Sequence, residues 1–428
     1  MSVASTYLAA GEERSGNLAR RLWFAACFGL VFLRFGLNRK ILDKIIDYST
    51  EGGSIVEKIH PGTYGIVAVL LAVLLTARIE LNSWELRALR SLLQFAAAIV
   101  TLALLLLLLG HTGSLGQLVD SYLAACAAGA LMLFFPQPWR RSLAIALLVF
   151  IIGGALVALG EFALQARLLP YPLEEQSFRP TGLSEHPLML GLLNAVGISF
   201  VAATGWKPAA KAAAIAILLL GTFAAGARLA AVVAGISVLA AVVLYDWPTA
   251  QPRTRTRMKA LLLIAMTLAV PVVLVVLYQF GLLDRFENGL FDENAMARVK
   301  IYGLFNLASW NEILFGADID HIRKLALEHF DLQFIESSIV MLVFQFGLFG
   351  AIFFILAMAR TFLVLLAGSS RFVIIGTAAF FMIAASNNSL TSKSPLIMMV
   401  VVLIVGFRAT EHPTRAFRSR RLNQVRAR

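Results

Sequence analysis

The chain has 428 residues, 59 % of them apolar and only 14 % charged, with a mean hydropathy of +0.80. Ordinary soluble domains carry about 25 % charged residues, whereas a bilayer-crossing helix needs about 20 mostly apolar ones, and this sequence supplies many such runs. A soluble enzyme is excluded: no polar stretch is long enough to bury a core, and 1–428 reads as a single integral membrane domain. The formal charge of +12 would suit nucleic acid, but the basic residues are distributed as topology signals instead.

The first apolar run begins near Leu22, with no small-residue cleavage site after it, so the first helix is expected to remain as a span. In chain order the apolar runs predict an all-α protein of about twelve spans. They fall at 22–37, 63–77, 91–110, 117–135, 142–160, 188–204, 209–226, 229–245, 259–279, 338–358, 371–386 and 394–408. Most of the 37 basic residues lie in alternate connections, among them Arg20, Arg21, Arg87, Arg90, Arg140, Arg141, Lys207, Lys211 and the "PRTRTRMK" cluster. The arginine-rich tail 409–428 belongs with them. The positive-inside rule then puts both termini in the cytoplasm, with these residues against anionic headgroups rather than nucleic acid.

This orientation leaves three notable segments outside: 38–62, 161–187 and the long loop 280–337 between the ninth and tenth spans. Loops of that length in a compact protein are usually functional. Within the third, apolar residues at helical spacing (Val299, Tyr302, Phe305, Leu307) predict a short amphipathic helix over 295–310, lying on the membrane. Cys27 and Cys126 sit inside apolar runs and read as buried hydrophobes. Lys393 reads as an interfacial anchor, and Glu161 as the end of the fifth helix, lining a cavity or facing water. His60, His111, His321 and His329 are loop residues with no partner visible in the sequence.

Charges at the membrane edge select the candidate site. In "FRPTGLSEHPLMLG" two prolines prevent a continuous helix, and Arg179, Glu185 and His186 stand just before a helix N-terminus, which attracts phosphate. Arg179 adds a fork for two phosphate oxygens. Arg228 is the one charge in "TFAAGARLAAVVAGIS", between two apolar helices and among small residues that leave room for a ligand. Arg298 belongs to the amphipathic stretch, and Glu336 with Ser337 precedes the tenth span as a helix cap or as a base. Arginines so placed suit an anionic, membrane-bound ligand such as a lipid diphosphate, whose departure they would also stabilise.

These segments resemble the O-antigen ligase and polymerase superfamily of bacterial envelope enzymes. "RPTGLSEHPLMLG" is similar to the family's Arg–Xaa–Xaa–Gly…His–Pro–Asn segment. "AGARLAAVVAGI" is similar to its Ser–Arg–Gly helix start. "ARVKIYGLFNLASWNEILFGADID" followed by "ESSIVMLVFQFGLFG" is similar to its Arg…Trp…Gly stretch and Gly–Leu–Xaa–Gly helix. The resemblance covers the fifth to twelfth spans and implies a GT-C-like membrane fold in the inner membrane. It implies transfer of a glycan from undecaprenyl diphosphate on the periplasmic side, with Arg179, Arg228 and Arg298 on the diphosphate, and His186, Glu185 and Ser337 in support. Glu336 stands where ligases have histidine, with Ser337 for the next asparagine, Leu188 for the asparagine after Pro187 and Ala227 for the serine before Arg228. Losing that histidine favours an exopolysaccharide or capsule polymerase over a ligase, with Glu336 taking the acceptor's proton. The implied partners are the lipid-linked oligosaccharide, membrane lipids, and a chain-length regulator or export machinery; neither cofactor nor metal is needed. A flippase or transporter is the main rival, but it more often carries charges at mid-membrane. Here the mid-helix regions are nearly free of charge, Arg34 and Asp120 being the exceptions, and the polar residues gather on one face. An assembly protein docking a partner on loop 280–337 is the third reading.

Overall fold

The computed structural model describes residues 3–49, 56–77, 79–169, 178–245, 252–279, 281–282, 293–332 and 334–408. The tail 409–428 and residues 283–292 lie outside the described residues. Among the described residues there is no strand, and every one of the twelve apolar runs falls on a helix.

In chain order these are α1 (Val3–Gly36), a short α2 (Arg39–Leu42), α3 (Pro61–Thr76), α4 (Ser83–Leu108) and α5 (Leu115–Leu133), which includes a π-helical turn at Leu118–Leu123. They continue with α6 (Gln137–Leu164), α7 (Pro187–Ala203), α8 (Pro208–Ala224), α9 (Arg228–Leu244) and α10 (Pro252–Gln279). Then come α11 (Glu293–Lys300), α12 (Leu304–Leu307), α13 (Trp310–Phe315), α14 (Ile319–Phe330), α15 (Ser338–Leu366), α16 (Arg371–Ala385) and α17 (Leu396–Phe407). Proline opens α3, α7 and α8, where its missing N–H costs nothing and its fixed φ suits the first turn.

Four helices, α4, α5, α6 and α15, are long and apolar enough to cross a membrane, and shorter apolar helices of 10–17 residues accompany them. Length follows position in the bundle. α17 has 12 residues and every one is buried, whereas α4 shows lipid-type residues such as Leu93, Leu104 and Leu108 on its outer face. A helix apolar all round and enclosed by other helices need not match the thickness of a bilayer. Close approach replaces hydrophobic drive here: a Cβ on Gly191 of α7 would lie 2.6 Å from the Ala227 Cβ.

Hydrogen bonds between sequence-distant connections define two ends. At one, a buried Arg140–Glu85 ion pair joins α6 to the capping box of α4. Gln137 donates to the Gly406 and Arg408 carbonyls, and the Arg408 guanidinium lies 4.7 Å from the Trp84 ring centre. At the other end, the connection after α1 meets the 178–187 segment, where Arg39 N–H donates to Glu185 Oε1 at 2.8 Å. The connection before α17 meets the one after α1: Lys393 Nζ donates to the Tyr48 and Lys58 carbonyls, both at 3.1 Å. Lys393 is thus a half-buried tie stacked 4.8 Å from the Tyr48 ring, not the interfacial anchor that its place in a short loop suggests.

The expected helix over 295–310 is present as a contiguous helical run of α11, a 3-10 turn and α12 that ends at Leu307, but its buried face is not the expected one. Ile301 and Leu304 are buried in the core, while Val299, Tyr302 and Leu307 are exposed. The break in α15 is more consequential. Gly347 has φ +72°, and a Cβ there would meet Phe315 Cα at 2.6 Å, so only glycine lets α13 pack into the gap. The Phe344 carbonyl freed by the break accepts Ala317 N–H at 2.8 Å, as buried backbone at this depth requires.

Candidate functional site

The "RPTG" turn is built by a carboxylate from α6. Glu161, 4 % exposed, accepts N–H bonds from Thr181 at 2.8 Å and Gly182 at 2.7 Å on one oxygen. Its other oxygen accepts Leu168 N–H at 2.7 Å. Gly182 has φ +54° and sits so close to Gly154 of α6 that any Cβ would press into the Gly154 carbonyl oxygen. Glu161 is therefore neither a solvated helix end nor a cavity wall: it fixes the loop that carries Arg179.

Arg179 is buried, and its Nε donates to the Ala225 carbonyl at 2.9 Å. Ala225 belongs to the α8–α9 turn, three residues before Arg228, which is half-buried at the first position of α9. Arg167 closes the group from behind: its Nε donates to the Arg179 carbonyl at 2.9 Å and its guanidinium lies 5.0 Å from the Phe178 ring. The structure thus brings Arg179 and Arg228 to one turn. His186 caps α7 through Nδ1, which accepts Leu188 N–H at 3.1 Å, and the adjacent Glu185 binds the start of α2. Lys40 of α2 shares this field. Burial lowers its pKa to about 8, Glu185 and then Glu161 oppose that shift, and Arg167 and Arg39 add to it. Arg39, Lys40, Arg167, Arg179 and Arg228 outnumber Asp43, Glu161 and Glu185, so this group of side chains is net cationic.

Glu336 and Ser337 stand on a separate connection. Ser337 is the cap of α15, its Oγ accepting Val340 N–H at 3.4 Å, which leaves the half-buried Glu336 outside the cap. The next residue, Ser338, is fully buried; its Oγ donates to the Ala384 carbonyl at 2.8 Å, bonds the Asn387 carbonyl and accepts Leu390 N–H at 3.1 Å. The start of α15, next to Glu336, is thereby tied to the 386–395 connection. Arg298 lies on α11, and its side chain is outside the described residues.

A cleft of about 440 Å³, counting its open mouth, runs between α1, α6 and α7. It is lined by Glu185 but by none of Arg179, Arg228, Glu336 or Ser337; its polar groups are Arg34, Asn38, Ser184 and Asn194. Sequence reasoning registered Arg34 only as an exception to a charge-free interior, and Asn194, one polar residue in an apolar helix, drew no notice. A second buried polar centre surrounds Asp120 in the π-helical turn. Its carboxylate accepts Tyr48 OH and Thr63 Oγ1, each at 2.8 Å, and His60 N–H at 3.1 Å. His60 itself caps α3, accepting Gly62 N–H at 2.9 Å, so it is a buried structural residue rather than a loop histidine. Cys27 and Cys126 are buried and unbridged. Among the described residues no group of three or more His, Cys, Asp or Glu side chains is arranged to hold a metal ion.

Compared with known proteins, the chain matches no family model, no curated protein and no solved structure.

Proposed function

We propose that the protein is a twelve-span glycosyltransferase of the bacterial inner membrane, with both termini in the cytoplasm. It polymerises oligosaccharide repeat units carried on undecaprenyl diphosphate at the periplasmic face. The observation that carries this reading is the meeting of Arg179 with the turn that bears Arg228, on a loop locked by Glu161, in a net cationic group of side chains. A fixed guanidinium beside a helix N-terminus that itself begins with arginine suits a diphosphate better than any uncharged ligand. The other end carries the basic connections expected in the cytoplasm, which supports reading the Arg179 end as periplasmic.

In the reaction, a sugar hydroxyl of the acceptor unit forms a bond to the donor's anomeric carbon as the bond from that carbon to the diphosphate oxygen breaks. The diphosphate leaves with the electron pair, and Arg179 and Arg228 stabilise its charge. The hydroxyl proton passes to Glu336 and from there to water. Arg298 is assigned a supporting contact to the diphosphate, and His186 and Glu185 hold the loop.

The test is a profile of lipid-linked glycans and polymer in cells lacking the gene, with it restored, or with Arg228→Ala. Single repeat units should accumulate in place of long polymer, unrescued by the variant. Normal polymer on lipid with none on its final acceptor would make the protein a ligase. Repeat units retained on the cytoplasmic side would make it a flippase. Full polymer synthesis by Glu336→Gln would remove Glu336 from the reaction and leave the arginines in place.

A further inference from the structure

Arg34 is 2 % exposed, and its Nε and Nη2 are buried with no hydrogen-bond partner. Asn194 is 0 % exposed, and neither its Oδ1 nor its Nδ2 has a partner. Both line the cleft between α1, α6 and α7. Buried polar atoms are nearly always hydrogen-bonded, and a buried cation is ordinarily paired. Two such side chains, with four unpartnered atoms between them, lining one opening mark a place built for something that brings its own partners.

The neighbouring acid does not supply them. Asp120, which with Arg34 acts electrostatically on Tyr48 and His60, is already held by Tyr48, Thr63 and His60. Among the described residues it forms no ion pair with Arg34. Glu185 stands in the cleft wall with one oxygen committed to Arg39 N–H. The Arg34 guanidinium thus still lacks two hydrogen-bond acceptors despite that carboxylate, and the Asn194 amide adds a donor for a second oxygen and an acceptor for a hydroxyl.

The rest of the wall names the carrier. Phe35, Phe150, Ile151, Met189, Leu190 and Leu193 are apolar, and Leu33 and Val149, adjacent in sequence to lining residues, are 40 % and 53 % exposed. The cleft therefore opens beside an apolar outer surface. Arg34 lies two residues from the end of α1, which puts it about 3 Å along the axis from the helix end, near headgroup level. Pockets of this kind between membrane helices suit lipid headgroups.

We propose that this cleft is a lipid-binding site in which Arg34 holds the phosphate of a membrane lipid, with Asn194 hydrogen-bonding the same headgroup. The site is separate from the diphosphate site on Arg179 and Arg228, and it stands whether or not the transferase reading does.

The test measures lipid binding to the full-length protein in mild detergent, by native mass spectrometry and by melting temperature. The probes are phosphatidylglycerol, polyprenyl phosphate and diacylglycerol, which has no phosphate. Wild-type protein should bind at least one phosphate lipid, and Arg34→Gln and Asn194→Leu should each weaken it about tenfold or more, with diacylglycerol unaffected. The lipid that shows the loss identifies the source: a bulk phospholipid or a polyprenyl carrier. Without added lipid, Arg34→Gln should melt no lower than wild type, because no ion pair is lost, and Arg34→Lys should bind with intermediate affinity. The proposal is overturned if neither phosphate lipid depends on Arg34, or if diacylglycerol is lost equally. It is also overturned if Arg34→Gln lowers the lipid-free melting temperature and Arg34→Lys restores it without any effect on binding.

Discussion

Replacing Glu161 by glutamine changes one oxygen to NH2 and should unlock the loop that carries Arg179. The carboxylate accepts three backbone N–H bonds, from Leu168, Thr181 and Gly182. An amide can face only one side with its oxygen. With the oxygen turned to Thr181 and Gly182, the NH2 meets Leu168 N–H donor to donor. A charge-assisted bond contributes about 1.5–3 kcal/mol and a neutral one about 1. Losing one and weakening two therefore costs about 3 kcal/mol, close to 10²-fold in the closed-to-open ratio of the loop. Hydrogen exchange on the purified protein reads this locally: the Thr181 and Gly182 amides should exchange about 10²-fold faster while α6 and α7 keep their protection. Polymer yield in cells should fall with it. Gly182→Ala breaks the same turn by clash, so the double variant should cost clearly less than the sum of the singles. Unchanged protection at Thr181 and Gly182 in Glu161→Gln would refute the assignment of Glu161 as the residue that shapes this loop.

Gly347→Ala should be among the most damaging small substitutions, since it combines a left-handed φ with a Cβ driven into α13. A cost of about 2–4 kcal/mol should appear as low accumulation in the membrane and fast proteolysis between α12 and α14. Arg140→Met leaves Glu85 buried without its cation and should cost about 3–5 kcal/mol; adding Glu85→Gln should recover much of the melting temperature. Lys40 has its pKa lowered to about 8 by burial, so protonation favours the unfolded chain. Its destabilising contribution is complete below about pH 8 and disappears as pH rises from there towards the ordinary lysine value. Melting temperature should therefore rise across that window in wild type relative to Lys40→Met, with Glu185, Glu161, Arg167 and Arg39 unchanged; parallel curves would show that Lys40 is not buried in this way.

Helices were legible because each apolar run is continuous and its ends are marked by proline, asparagine or serine caps such as Asn82 and Ser370. The bond from Arg179 to the turn before Arg228 was not legible, because it runs from a side chain to a carbonyl 46 residues away. Glu161, Asp120 and Arg34 gave a weaker signal than they deserved: each is one charge at the border of an apolar run, where a solvated end and a buried hub read alike. The 295–310 segment misled only about its face: the backbone stays helical to Leu307 and turns at Ala308, and the buried side belongs to Ile301 and Leu304 rather than to Val299, Tyr302 and Leu307.

The ties around Tyr48 have a consequence for synthesis. The connection after α1 is held by Asp120 from α5 and by Lys393, 345 residues further on. The carbonyl of Leu390 in turn receives Gln117 and Tyr122 of α5. A chain emerging from the ribosome can insert α1 to α9 in order and form the Asp120 bonds, yet the Leu390 and Lys393 ties cannot close until the connection between α16 and α17 arrives. Biogenesis therefore ends with a latch: stalled chains ending before residue 390 should expose the 37–60 connection to protease, and release of the final helical hairpin should protect it in a single step.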